Sequence, residues 1–414
     1  MKRLTFYVCL LLLTYTTKAQ QSYNISFQHD GKTVHATFAT PAGNGPFATI
    51  IITPGSGPND RDGTIPMLGA NVACLYPGLL NDTLRPYKEL SDALVDSGYA
   101  VLRYDKLEYS YPTTLGTITF HKLWLPVESA INYVKTRNDV DTNQIILIGH
   151  SEGSSLISYI AKGRNDIKAL ISIAGARTPF DSILAYQLVN IAQTCGGDVP
   201  TAQAQAAQIL SYYTTLRTNT WNGSTPPLFG VPASVWYVYV RATDSVAINY
   251  NIDNLPTLFL GMGLDINVPP AELVRFQNEV TITNDFWSVP GLIHYMTPNN
   301  VPHVSEVLTD TIVYWLRQHN IVTAVPDTRL QTTPVSISPN PFTHSVFINF
   351  EKKHNGVVVV RVWNALGAPV YAKQEMKTAG KSIIQIDLKE MPAGIYFIEL
   401  NSDGVAATRR IVKQ

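Results

Sequence analysis

Cysteine is scarce in this chain. Three occur in 414 residues, and Cys9 falls in an N-terminal segment expected to be removed, which leaves Cys74 and Cys195. Two cysteines in so long a chain are no disulfide framework, and without a CxxC pair or a Cys/His cluster no zinc site is expected. The sequence leaves open whether the two pair. Charge is equally sparse: 31 Lys and Arg balance 31 Asp and Glu, with 15% charged residues and no basic stripe or acidic run. That balance argues against nucleic acid as a partner. Long apolar runs are missing as well. Leu4 to Tyr15 is largely apolar, follows the basic Met1-Lys2-Arg3 and precedes Thr17-Lys18-Ala19, but it is too short to span a bilayer. Residues 1–19 therefore read as a secretory signal peptide, and no transmembrane segment is expected in the mature chain.

What is present is an alternation of periods. Tyr23 to His29 and Thr33 to Thr40 alternate around Asp30-Gly31, a hairpin signal. Buried strands are then expected at Phe47–Ile52, Tyr99–Tyr104, Gln144–Ile148, Ala169–Ala174 and Thr257–Leu260. Helical spacing occupies Pro86 to Ser97, and Leu123 to Thr136 reads as one helix. This rhythm predicts an α/β fold, a mostly parallel sheet covered on both faces, with its site at the carboxyl ends of the strands. Between Ala174 and Leu255 the alternation lapses into helical segments, Phe180 to Thr194 and Thr201 to Leu216. A helical cap over about 178–250 is expected, its many aromatics either forming a partly apolar ceiling or, as aromatics more often do, filling core. The polar, Pro-containing stretch 324–334 reads as a linker between a catalytic domain, 20–323, and a small all-β sandwich, 335–414.

The most informative stretch is Gly149-His150-Ser151-Glu152-Gly153. An apolar, β-branched run precedes it and helical spacing follows it, which makes strand, G-x-S-x-G, helix: the nucleophile-elbow arrangement. Glycines two residues either side let the chain turn without Cβ clashes and expose the hydroxyl. Ser151 is the expected nucleophile. His150 is expected to support the elbow and to point away from the serine's partner.

Together with Gly55-Ser56-Gly57-Pro58-Asn59-Asp60-Arg61-Asp62-Gly63, the Asp265 loop and Pro290-Gly291-Leu292-Ile293-His294-Tyr295, the elbow resembles a bacterial α/β-hydrolase of the serine esterase branch. The likeness spans most of residues 23 to 320 in the family's order. It implies a catalytic series of Ser151, Asp265 and His294. A serine hydroxyl needs a histidine to accept its proton, and that histidine needs an acid to hold its tautomer. Asp265 lies on a turn after a strand, whereas Asp253 and Asp285 precede theirs and would lie at the opposite edge. His303 is the rival to His294, but it stands at the start of a helical segment, Val304 to His319. Oxyanion donors are expected from the backbone N–H of Glu152 and from Ser56, with Gly57 close behind. Asp60-Arg61-Asp62 is expected to form an internal clasp rather than a metal site. The chain departs from the family at Pro54, where relatives carry His, and at Leu107-Glu108, where they carry Arg-Gly. Thr64 to Arg85 is a long connection suited to line the entrance. No cofactor or metal is expected. An ester substrate is implied; the alternatives are a serine peptidase of the same fold and a non-catalytic binding protein on a hydrolase scaffold.

The last segment has its own signature. Pro339-Asn340-Pro341, the turn Asn364-Ala365-Leu366-Gly367, the strand Gly394-Ile395-Tyr396 and the basic tail Arg409-Arg410 closely resemble the C-terminal sorting domain of type IX secretion in Bacteroidetes. The resemblance implies that type IX machinery is a partner and that the protein is secreted or held at the cell surface.

Overall fold

A computed structural model describes residues 19–252, 254–282, 284–321, 335–350, 356–364, 369–377, 383–402 and 405–414. The expected signal peptide up to residue 18, the expected linker 324–334, Asp253 and the 365–368 part of the Asn364 turn lie outside them.

The chain opens with the expected hairpin, β1 (Gln21–His29) and β2 (Lys32–Thr40), paired antiparallel in full register. There follow β3 (Phe47–Thr53), β4 (Ile65–Pro66), α1 (Ala70–Leu75), β5 (Thr83–Leu84), α2 (Pro86–Asp96), β6 (Ala100–Tyr104), α3 (Leu107–Ser110), α4 (Phe120–Trp124), α5 (Pro126–Val134), β7 (Val140–His150), α6 (Glu152–Ala161) and β8 (Ala169–Ile173). The cap then occupies α7 (Phe180–Thr194), α8 (Val199–Arg217), α9 (Ala233–Thr243) and α10 (Val246–Ile252). β9 (Thr257–Met262), α11 (Ala271–Glu279), β10 (Asn284–Val289) and α12 (Glu306–Gln318) complete this part.

The central sheet runs β1-β2-β6-β3-β7-β8-β9-β10. It is parallel from β6 onward, because each strand is returned by a crossover rather than a hairpin. Both faces are buried, as a crossover sheet requires. On β3, Ile51 packs into a cluster with Val127 and Ile131 of α5 and Leu156 and Ile157 of α6. Its neighbours Ile50 and Ile52 face the other way, against Leu90 and Leu94 of α2 and Leu308 and Ile312 of α12. The alternation of side chains along a strand thus distributes one apolar run between two cores.

One expectation changes. The helix expected over Leu123 to Thr136 is two helices. Pro126 begins α5 at its first turn, and Leu125 before it has left the helical region at φ −111°, ψ 25°, as a residue preceding proline is disposed to do. Of the two readings of the cap aromatics, core holds for three: Trp236, Tyr239 and Tyr213 are buried, with Trp236 and Tyr239 ringed by Trp124 and Phe180.

Beyond the linker, β11 (Val335–Ser338), β12 (Ser345–Phe350), β13 (Gly356–Asn364), β14 (Pro369–Lys377), β15 (Ile383–Asp387), β16 (Gly394–Ser402) and β17 (Val405–Lys413) form two antiparallel sheets, β11-β12-β15 and β14-β13-β16-β17. Val346, Ile348 and Ile386 from one sheet and Val360, Val362, Ile398 and Ile411 from the other share one core. No described helix of the chain is long and apolar enough to cross a membrane.

Candidate active site

The loops that follow β3, β6, β7, β9 and β10 gather at one edge of the sheet, the carboxyl ends of parallel strands. Ser151 stands between β7 and α6 at φ 55°, ψ −121°, a conformation that side chains rarely adopt. Its backbone N–H is held by the Ile173 carbonyl at 2.9 Å. The flanking glycines are required by close approach: a Cβ on Gly149 would sit 2.3 Å from the Gly153 carbonyl oxygen, and one on Gly153 would sit 2.4 Å from that of Thr53. Helix α6 therefore starts hard against β3, with Ser151 at its N-terminal end.

Asp265 follows β9 and His294 follows β10, the edge strand beside it. Gly263 N–H to the Val289 carbonyl, 2.9 Å, and Leu264 N–H to the Leu292 carbonyl, 2.8 Å, stitch the two loops together. Across this seam His294 Nδ1 lies 2.7 Å from Asp265 Oδ2, both side chains buried. The other carboxylate oxygen accepts the backbone N–H groups of Asn267 and Val268, each at 2.8 Å, which fixes the carboxylate's orientation. With its Nδ1 turned to a carboxylate, the imidazole leaves Nε2 to act as acceptor. The rivals lie elsewhere: His303 is exposed and pairs with Glu89, and Asp285, at the amino end of β10, accepts Trp315 Nε1–H at 2.7 Å.

His150 does not point away from this pair. Its ring lies 4.8 Å from that of His294, and its Nε2 donates to the His294 carbonyl oxygen at 2.9 Å. Its Nδ1 meets the Tyr87 hydroxyl at 2.9 Å, which in turn accepts the Gly55 N–H at 2.9 Å. Burial, with the neighbouring His294 adding to it, pushes the His150 pKa down to about 3. A neutral imidazole with one donor and one acceptor satisfies both partners, and so ties the elbow to the His294 loop and to the loop after β3.

That loop carries Ser56 and Gly57. A Cβ on Gly55 would lie 3.2 Å from the Ser151 Cβ, so the loop runs alongside the elbow. Asn59 Nδ2 donates to the carbonyls of Gly55, Ser56 and Gly57 at 3.1, 2.8 and 3.1 Å, curling the segment around one amide. The clasp expected within Asp60-Arg61-Asp62 forms instead between segments. Arg61 binds both oxygens of Asp105 at 2.9 and 2.7 Å, and Asp62 pairs with Arg103. Asp60 accepts the N–H groups of Asp62 and Thr64. A planar guanidinium prefers a bidentate carboxylate, and Asp105 meets it with both oxygens.

Glu152 follows the nucleophile at the first position of α6, where a backbone N–H has no partner within the helix. Its side chain is buried yet fully engaged: Oε1 accepts Trp124 Nε1–H at 3.1 Å and the Tyr239 hydroxyl at 2.9 Å, and Oε2 faces Lys106 Nζ at 3.5 Å. Tyr87, Lys106, Trp124 and Tyr239 were not singled out from the sequence. Lys106 alone carried a signal, as the one cation beside the departure from the family at Leu107-Glu108.

Residues 127–233, which include the elbow, match the family model "BAAT / Acyl-CoA thioester hydrolase C terminal", and residues 336–414 match "Secretion system C-terminal sorting domain". The chain has the α/β-hydrolase fold followed by a secretion-system sorting domain. Among curated proteins, "Esterase EstD" of Thermotoga maritima is 27% identical over 297 residues, 67% of this chain and 63% of its own length. The chain thus aligns with less than two thirds of that relative. Among solved structures, Est1E from Butyrivibrio proteoclasticus is 17% identical with a TM-score of 0.46, covering 72% of this chain and 99% of its own. The Pyrococcus furiosus esterase Pf2001 is 14% identical with a TM-score of 0.42, covering 72% and 92%. In the α/β-hydrolase part a Cys74–Cys195 disulfide joins α1 to the end of α7.

Proposed function

We propose that the chain is an exported serine esterase that cleaves carboxylic esters through an acyl-enzyme. Ser151 attacks the ester carbonyl while His294 Nε2 takes its proton, then returns it to the leaving alcohol; Asp265 holds the imidazole in the accepting tautomer and stabilises the imidazolium. The N–H groups of Glu152 and of Ser56, with Gly57 beside it, receive the oxyanion. A water activated by His294 then releases the acid. The observation that carries this assignment is the 2.7 Å His294–Asp265 pair, at the same sheet edge as a serine at φ 55° and in the chain order serine, acid, histidine. The relative named an esterase adds support. For export, the signal peptide serves the inner membrane and the sorting domain, through type IX machinery, the outer one.

The test is a panel of p-nitrophenyl esters of graded acyl length, an acyl thioester and aminoacyl-arylamides. Ester turnover is expected, reduced by at least a few hundred-fold in Ser151→Ala, as removal of a nucleophile requires. His294→Ala and Asp265→Asn are expected to lose orders of magnitude, while His303→Ala keeps at least about a tenth of the activity. Equal activity in wild type and Ser151→Ala would refute the mechanism. Turnover of arylamides alone would move the protein to the peptidases.

A further inference from the structure

We propose that Lys106 is a positioning residue for the oxyanion hole, one buried ammonium group clamping both halves of it. The proposal rests on the esterase reading above. The two halves come from different loops, one after β3 and one after β7, and they work only if their N–H groups converge on one point. Lys106, in the loop after β6, lies between them and is 3% exposed. Its Nζ donates to the Gly55 carbonyl oxygen at 3.1 Å and faces Glu152 Oε2 at 3.5 Å and Glu108 Oε1 at 3.4 Å. Three N–H donors thus meet three acceptors.

The geometry of the peptide unit makes the Gly55 contact consequential. The carbonyl of Gly55 and the N–H of Ser56 belong to one planar trans peptide and point in opposite directions. A clamp on that oxygen therefore aims the Ser56 N–H away from Lys106. On the other side, Lys106 holds the carboxylate of the residue whose own N–H is the second donor. Glu152 has other partners in Trp124 and Tyr239, so charge pairing alone does not require the ammonium to reach Gly55. Burial opposes the charge on Lys106, but Glu108 and Glu152 together outweigh it and hold its pKa above the ordinary lysine value. The clamp stays cationic through the neutral range.

The experiment compares wild type, Lys106→Met and Lys106→Met/Glu152→Gln in steady-state cleavage of a p-nitrophenyl ester. An aryl trifluoromethyl ketone is the inhibitor, because its adduct with Ser151 places an oxyanion in the hole. Lys106→Met is expected to lose about 10- to 100-fold in kcat, less than outright removal of a donor, with KM changed by no more than about threefold. The inhibition constant is expected to rise by the same factor as kcat/KM falls, a proportionality that general loosening of the fold would not produce. The double variant removes the buried charge together with its partner and serves if the single variant does not fold. It is expected to stay as slow, because the Gly55 carbonyl then keeps the Asn59 amide of its own loop but no link to the Glu152 side. Wild-type kcat in Lys106→Met, a loss confined to KM, an unchanged inhibition constant, or full recovery in the double variant would each overturn the proposal. An inactive wild type would instead remove the esterase reading, and this proposal with it.

Discussion

His150 packs between the Tyr87 hydroxyl and the His294 carbonyl, where its neutral form satisfies both. Its pKa of about 3 lies below the ordinary 6.5, so between these values the unfolded chain binds a proton that the folded chain does not. Stability from this group is complete above 6.5 and is lost as pH falls toward 3. The slope it contributes approaches about 1.4 kcal/mol per pH unit within that window. His150→Gln keeps a donor and an acceptor but cannot titrate, so its stability is expected to fall less steeply than wild type between pH 6.5 and 4.5. Urea unfolding at several pH values measures the difference. Parallel slopes would mean that His150 is charged in the native state. The same residue shows the limit of local reading: its place next to Ser151 was plain, but its partners, Tyr87 and residue 294, come from distant parts of the chain.

Among the elements, α1 and α7 carry the least obvious connection. α1 belongs to the long 64–85 connection, where Tyr76 packs edge-on against Tyr295 beside His294. α7 lies over the Asp265 loop, with Gln187 and Asn190 donating to the carbonyls of Asn267 and Ile266 at 3.0 and 3.5 Å. The disulfide bridges these two walls, with Cα atoms 5.7 Å apart and 121 residues of separation in sequence. Closing so long a loop restricts the unfolded chain, and removing such a bond typically costs about 2–4 kcal/mol. Cys74→Ser/Cys195→Ser is expected to unfold at lower denaturant by that amount and to raise KM more than it lowers kcat, since the cap loosens while the His294–Asp265 seam does not depend on it. An unchanged unfolding midpoint would show that the bridge does not restrain the fold. Spacing in sequence carried no hint of this pairing, because a cross-link depends on distance in the folded chain.

At the scale of the molecule, the two halves keep their apolar cores to themselves. The core of the sorting domain is drawn from residues 337 onward, and those around the central sheet end at Ile321. Among the described residues, Val335 to Gln414 contribute none to the clusters that pack around the Ser151 elbow. The protein truncated before Val335 is expected to keep its turnover per molecule and to remain in the periplasm, while the full chain reaches the surface or the medium. Cell fractionation with ester assay of each fraction measures both. A truncated protein found outside the cell would refute the sorting role.

The sequence by itself determined whatever depends on local period and local sterics. Alternating apolar runs and helical spacing set the order of strands and helices, and crossover logic made the sheet parallel. Gly149 and Gly153 marked a turn in which no side chain has room, and Asp265 and His294 stood out because each follows a strand. The tertiary structure decided whatever depends on which distant segments meet. Arg61 turned from its neighbours to Asp105, Cys74 met Cys195, and the cap aromatics closed a core. Lys106 and Glu152 are the sharpest case: burying two charges is costly unless each finds partners, and their partners are set by the packing of β3, β6, β7 and α9 rather than by any pattern along the chain.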